Sequence, residues 1–377
     1  RHYVKDAVLA GEARQVAVTV EGDLHHFPFA DGKQGTFRII APVQQVQLRY
    51  VPRYLQHANE PDWPVLEHLA GSLEFEGNSM RVRKASGRAR GFPSLQFSHI
   101  EADIADLAHT EVRVQASGAS TAEDGLRFVR ASPVAAWLHG ALDGMQANHS
   151  VSLKLGLDLP IARMHESRVS GEVGLQGNDI KLRDDVPLLQ QAQGRIGFTE
   201  QGFTLHEARA QAVGGPVSLT GGTEAVAGGA SRTVIDAAGH ATASGLQTEP
   251  VLTTARPLLA RASGQTEFRV RYAVQNGQTQ VQVSSPMTGL ALDLPAPLHK
   301  SAEAALPLQF AITPGKGEDD TLSLQLGDML DARYQRRQRE GHMQVQGGQL
   351  MLGKVAALPV ADGVRLRAEL PEMDVDA

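Results

Sequence analysis

The chain reads as a mainly β protein: an elongated, twisted antiparallel sheet forming a hydrophobic groove, built from repeated helix-plus-hairpin units with a few short helices. Three observations predict this. Apolar residues fall on alternate positions over long stretches. Glycine is plentiful, 38 of 377 residues, and aromatics make up only 5%, which suits many strands and tight turns better than one spherical core. Finally, one short motif recurs, reading Pro-(Val/Leu)-Leu…Gly…Phe: Pro64-Val65-Leu66…Gly71…Phe75, Pro187-Leu188-Leu189…Gly194…Phe198 and Pro257-Leu258-Leu259…Gly264…Phe268. The first two copies align without a gap over 62–91 and 185–214, sharing Asp62/Asp185, Ala85/Ala208 and Gly91/Gly214.

Taken in order, residues 1–60 carry strand-like runs at 15–20 and 36–51, separated by turn signals at Gly22-Asp23 and Asp31-Gly32. In each of the first two motif copies an Asp followed two residues later by Pro predicts a helix start, because the carboxylate accepts from free first-turn amides and the missing proline N–H costs nothing there. Gly71 and Gly194 end those helices. Alternation then predicts a hairpin through Leu73, Phe75, Met80 and Val82, and another through Ile196, Phe198, Phe203 and Leu205. Residues 120–142 change to a helical period, with Thr121 and Asp124 as a capping box and Ser132-Pro133 as a second start. The clearest strand follows: Val151, Leu153, Leu155, Leu157 and Leu159 make one aliphatic face over roughly 30 Å. Repeat-like units are expected near 62–117, 169–221 and 248–300, with 221–230 as a flexible loop and hairpins at Asn276-Gly277 and Gly347-Gly348. The whole of 1–377 is read as a single elongated fragment.

Lys plus Arg is 36 against 42 Asp plus Glu, a formal charge of −6, so no global basic field draws the protein to nucleic acid. Arg81, Arg83, Lys84, Arg88 and Arg90, and likewise Arg333, Arg336, Arg337 and Arg339, read as solvated strand faces. Zero cysteines exclude disulfides and leave the redox compartment open. No run reaches the roughly 18 apolar residues that span a bilayer. The absence of a starting Met and of any leader is what an internal piece of a longer protein would show.

Signatures of catalysis are missing. His165-Glu166 and His206-Glu207 have Val169 and Ala210 where a zinc helix needs its second histidine. Gly32-Lys33 and Gly315-Lys316-Gly317 lack the phosphate-loop spacing, Asp184-Asp185 reads as turn plus cap, Glu318-Asp319-Asp320 as a hairpin tip, and no Gly-x-Ser-x-Gly elbow occurs. No catalytic residue, metal site or cofactor is therefore expected, and the chain is read as not an enzyme. What remains is the apolar stripe, which either lines a sealed core between two sheets or offers a trough to lipid.

Several segments resemble the YhdP-type branch of the AsmA-like bacterial envelope proteins: Asp62-Trp63-Pro64…Gly71-Ser72-Leu73-Glu74-Phe75, Gly125-Leu126-Arg127-Phe128, Leu155-Gly156-Leu157-Asp158-Leu159-Pro160, Gly194-Arg195-Ile196-Gly197-Phe198-Thr199 and Leu294-Pro295-Ala296-Pro297-Leu298-His299-Lys300. The resemblance implies a bridge-like lipid-transfer protein, with an inner-membrane anchor in the parent and a periplasmic β-groove moving phospholipid toward the outer membrane. On that reading phospholipid acyl chains are the partner, lying against Leu73, Phe75, Leu153, Leu155, Leu157, Ile196, Phe198, Phe268 and Val270. A structural or assembly module with a sealed core, binding envelope protein partners, is the competing expectation.

Overall fold

A computed structural model gives the structure for residues 2–369, apart from 30–32, 57–58, 139–141, 143, 227–230, 296–298, 316, 318, 340–341 and 354–362. Strand accounts for 63% of it, helices are few and short, and the sheet is open and antiparallel. The chain divides into two units. The first comprises Arg1–Leu142, Gln146–Asn178 and Gly194–Thr204; the second comprises Asp143–Met145, Asp179–Gln193 and Leu205–Ala377.

The first unit opens with helix α1 (His2–Ala7), then β1 (Val8–Ala13), β2 (Ala17–Gly22), β3 (Gly35–Leu48), β4 (Leu66–Glu76), β5 (Ser79–Ala89), β6 (Gln96–Ile104) and β7 (Glu111–Thr121). Helices α2 (Ala122–Arg130) and α3 (Val134–Trp137) follow, then β8 (Gln146–Ala147), β9 (Ser150–Pro160) and β10 (Arg168–Lys181). Neighbours pair antiparallel from β3 through β7, β7 pairs with β9, and β9 with β10. β1 and β2 each take one half of β3.

No helix forms at the start of the first two motif copies. Leu66 already belongs to β4 and pairs with both Leu48 and Ala89, while 182–188 is turn and extended chain leading into β11 (Leu189–Thr199). Asp62 pairs with Arg53 and Asp185 with Arg183, so neither caps a helix. From Leu66 and Leu189 onward the backbone is drawn into strands, and sheet pairing outweighs the local capping signal. What the motif encodes instead is a bulged hairpin. His68 and its counterpart Gln191, and Lys84 and its counterpart Glu207, all have φ between +50° and +53°. In the first unit the pairing register shifts around both positions, as an inserted residue requires. Ala85 and Ala208, and Ala89 and Ala212, are buried in both copies. The third copy does enter through a short helix.

In the second unit β11 is followed by β12 (Gly202–Ala212), β13 (Gly215–Ala225), β14 (Ser231–Thr242), helices α4 (Ala243–Thr248) and α5 (Arg256–Leu259), β15 (Ala262–Gln275), β16 (Gln278–Ser285), β17 (Leu290–Leu292), β18 (Leu308–Pro314), β19 (Asp319–Leu326), β20 (Leu330–Arg339), β21 (His342–Leu352) and β22 (Gly363–Ala368). Antiparallel ladders join β13 to β16, β16 to β18, and β18 onward to β21; β22 alone among the described strands pairs parallel, to β21. Two expectations fail here. Residues 221–225 complete β13 rather than forming a loop, and only 227–230 of the glycine-rich segment lie outside the described residues. Gly347-Gly348 is not a turn but the middle of β21. A Cβ at Gly348 would sit 2.5 Å from the Tyr334 ring, so Gly348 is glycine because an aromatic from β20 lies over it.

Helices close one end of each apolar face. Thr121 caps α2 by accepting from the Asp124 amide at 3.2 Å, and Thr242 caps α4 by accepting from the Gly245 amide at 3.0 Å. The expected capping box is completed through a third residue: Ser94 Oγ accepts from the Thr121 amide, and Asp124 accepts from the Ser94 hydroxyl at 2.6 Å. Beneath α2, Phe128 and Leu153 pack on Phe92, Leu95 and Phe97; beneath α4, Leu246 packs with Met287 and Leu290.

Candidate functional site

Residues directly opposite in a ladder share a face, so register assigns the apolar stripe without ambiguity. In the first unit one row runs Ile39–Phe75–Met80–Ile104–Val112–Leu159, and the next Ala41–Leu73–Val82–Ala102–Val114–Leu157–Val169. A third contains Ile100, Ala116 and Leu155, and a fourth contains Leu153 and Val173. Leu73, Phe75, Leu153, Leu155 and Leu157 therefore lie on one face. Phe198 joins them, since its ring occupies the space a Cβ would fill at Gly171, the partner of Leu155; Ile196 is two residues along the same strand. Leu153 differs from the rest in being at the end covered by Phe128.

The opposite face is polar and zipped by alternating charge. Glu74, Arg81, Asp103, Arg113, Asp158 and Arg168 stand in register across six strands. Arg83 forks onto Asp103 at 3.0 and 2.5 Å, and this contact is the main reason the Asp103 carboxyl is held below the usual carboxylate range. Lys154 lies on this polar side, 3.8 Å from Glu172. The first arginine run is thus a paired strand face, and Arg337 forks onto Asp319 on the polar side of the second unit, whereas Arg336 forks onto Asp320, two residues from Leu322 and therefore on the apolar side.

Phe268 and Val270 belong to the second unit's stripe. Its rows read Ala237–Val270–Val283–Phe310–Leu324–Ala332–Leu350 and Ile235–Tyr272–Val281–Ile312–Leu322–Tyr334. Alternation in the sequence marks the hairpin around Asn276-Gly277, but the pairing that joins it to the later rows is not visible there. In both units the large aliphatic side chains of these rows are half-buried, apart from Ile104 at 6%, whereas Leu290, inside a core cluster, is 1% exposed. Two adjoining cavities of about 600 and 590 Å³ lie on the polar side of the second unit, lined by Ser218, Arg269, Gln282 and Gln309, and by Arg209 and His240.

The YhdP protein family matches residues 1–377. The chain belongs to the YhdP family. No curated protein and no solved structure matches it significantly. In this YhdP-family chain the Leu-Pro-Ala-Pro-Leu-x-Lys segment is described only in part, because 296–298 fall outside the described residues. Lys300 is buried, and its ammonium donates to the carbonyls of Leu290 at 2.6 Å and Ser301 at 3.0 Å; burial lowers its pKa. The role is structural, tying a connection to β17. Among the described residues no three His, Asp or Glu side chains are grouped to hold a metal, and no helix is long and apolar enough to cross a membrane. His25 is exposed and bonds Asp23 at 2.9 Å, Glu207 is a bulge residue, and the His165 side chain is outside the described residues.

A cation of the 182–188 connection stands on the apolar side of the second unit. This residue, Arg183, donates to Thr279 Oγ1 at 3.0 Å and forks onto Asp185 at 3.0 and 3.1 Å, with the Tyr272 phenol near enough to favour its charged form. Tyr272 and Thr279 belong to the apolar face, since they pair with Val281 and Val274.

Proposed function

We propose that the chain is a lipid-binding and transfer module that shields phospholipid acyl chains on its apolar sheet face and contributes to phospholipid movement between inner and outer membranes. It is read as the periplasmic part of an envelope protein anchored in the inner membrane, with no catalytic role and no nucleic-acid partner. The observation that carries this reading is the series of aliphatic rows within each unit, half-buried apart from Ile104. A core sealed by a second sheet would bury these side chains to the level of Leu290, and it does not. Each CH₂ removed from water contributes about 0.8 kcal/mol, so a carrier needs length and apolar continuity more than specific polar contacts. Leu73, Phe75, Leu155, Leu157, Ile196, Phe198, Phe268 and Val270 would line the path, with Leu153 at its helix-covered end.

Photocrosslinking in cells tests it. A photoreactive residue at Leu155 or Phe198 should acquire phospholipid, and one at Lys154 on the polar face should not. Labelling from Lys154 alone would reject the assignment.

A further inference from the structure

The position of Arg183 follows from strand direction. Residues 182–188 lie at the end where β11 begins, beside Asp179, which accepts from the Gln191 amide at 3.0 Å. From there the chain runs out along β11 and returns along β12 to the 213–214 turn, whose Val213 carbonyl accepts from the Thr242 amide at 3.0 Å, so β14 ends and β15 starts at that same end. β15 then runs away to the Asn276-Gly277 turn. Thr279 is therefore at the far end of the strands and Arg183 comes from the near end. Their side chains nevertheless meet at 3.0 Å, so the guanidinium lies on the apolar side of the sheet, where Thr279 stands.

A guanidinium above a trough of aliphatic side chains is the complement of an amphiphile with an anionic head. We infer that Arg183, with the hydroxyls of Tyr272 and Thr279, forms a phosphate site at the mouth of the trough, taking the phosphoryl oxygens of a lipid headgroup in exchange for Asp185. The chemistry fits on three counts. Guanidinium forks match phosphate oxygens and keep their charge when partly desolvated. Two neighbouring hydroxyls can donate to the remaining oxygens. The present partner, Asp185, has a side chain 54% exposed, so it can swing into water when displaced. This site rests on the lipid reading for the source of its phosphate, but not for its geometry.

The test uses the 377-residue chain with fluorescent phosphatidylglycerol, the matching fluorescent diacylglycerol that lacks phosphate, and inorganic phosphate. Arg183→Gln should weaken phosphatidylglycerol binding about tenfold, the size of a lost charge-assisted hydrogen bond, and leave diacylglycerol unchanged. Asp185→Asn should strengthen phosphatidylglycerol binding severalfold by removing the competing carboxylate, and it provides a second readout should Arg183→Gln fail to fold. An unchanged phosphatidylglycerol-to-diacylglycerol ratio in both variants overturns the site. If wild-type protein retains neither lipid, the lipid reading fails independently; an inorganic phosphate signal lost in Arg183→Gln would then uphold the site with free phosphate as its source, and no phosphate signal would reject it.

Discussion

Asp124 shows how much one buried carboxylate organises. It is 7% exposed, accepts from both the amide and the hydroxyl of Ser94, and pairs with Arg127. The Ser94 hydrogen bonds are the principal cause that holds its carboxyl below the usual range, with Arg127 adding to them against the opposing effect of burial. A carboxyl depressed on folding stabilises fully above its unfolded value of about 3.9 and loses that contribution as pH falls through the lower folded value. Asp124→Asn should therefore destabilise by about 1–3 kcal/mol at neutral pH, and denaturant midpoints of wild type and variant should converge between pH 4 and the folded value. Asp185 contrasts with it. Read as a helix cap, its removal should cost about 1 kcal/mol; as a half-exposed ion-pair partner of Arg183, Asp185→Ala should shift stability by less than about 0.5 kcal/mol, measurable by urea unfolding.

At the scale of elements, the repeated unit is a hairpin whose two strands each carry a bulge. Lys84 and Glu207 hold left-handed backbone at φ +50° and +52°, a region that L side chains occupy at a cost and glycine without one. The Lys84 side chain is exposed, so little packing is lost on truncation. Lys84→Gly is expected to raise the melting temperature or leave it unchanged, unlike glycine placed at an ordinary strand position. Gly71 is the reverse case. A Cβ there would approach the Ala85 backbone and Cβ at 2.8 Å, and Gly71→Val should destabilise by about 1–3 kcal/mol through overpacking. Thr121→Ala should lower stability by about 0.5–2 kcal/mol by freeing the first turn of α2, with the loss confined to exchange of amides in that helix and around Ser94.

For the whole molecule, the separation of faces matters most. Register keeps every second residue of six strands in the first unit on a charge-paired surface and the remainder on an aliphatic one. Introducing charge on the aliphatic side should abolish cargo without unfolding, because those positions are half-exposed: Leu155→Asp is expected to lose copurified phospholipid by native mass spectrometry while retaining its far-ultraviolet spectrum. Arg113→Gln, on the polar side, should keep its lipid. Equal lipid content in both variants would refute the face assignment.

Much of this was legible in the amino-acid order alone. Alternation through 151–159 placed β9 and its aliphatic side, Thr121 marked the start of α2, and the repeat at 62–91 and 185–214 located two matching hairpins, because strand period, capping and turn chemistry are local properties. The helices expected at Pro64 and Pro187 failed because the chain from Leu66 and from Leu189 is taken up by strands, and Gly347-Gly348 is no turn, since Gly348 makes room for the Tyr334 ring of another strand. Tertiary structure alone decided which rows join into one face, how far those rows remain open, and that Arg183 meets Thr279 across 96 positions of sequence. Such contacts depend on pairing register and sheet curvature, which accumulate over many strands and are encoded in no single stretch.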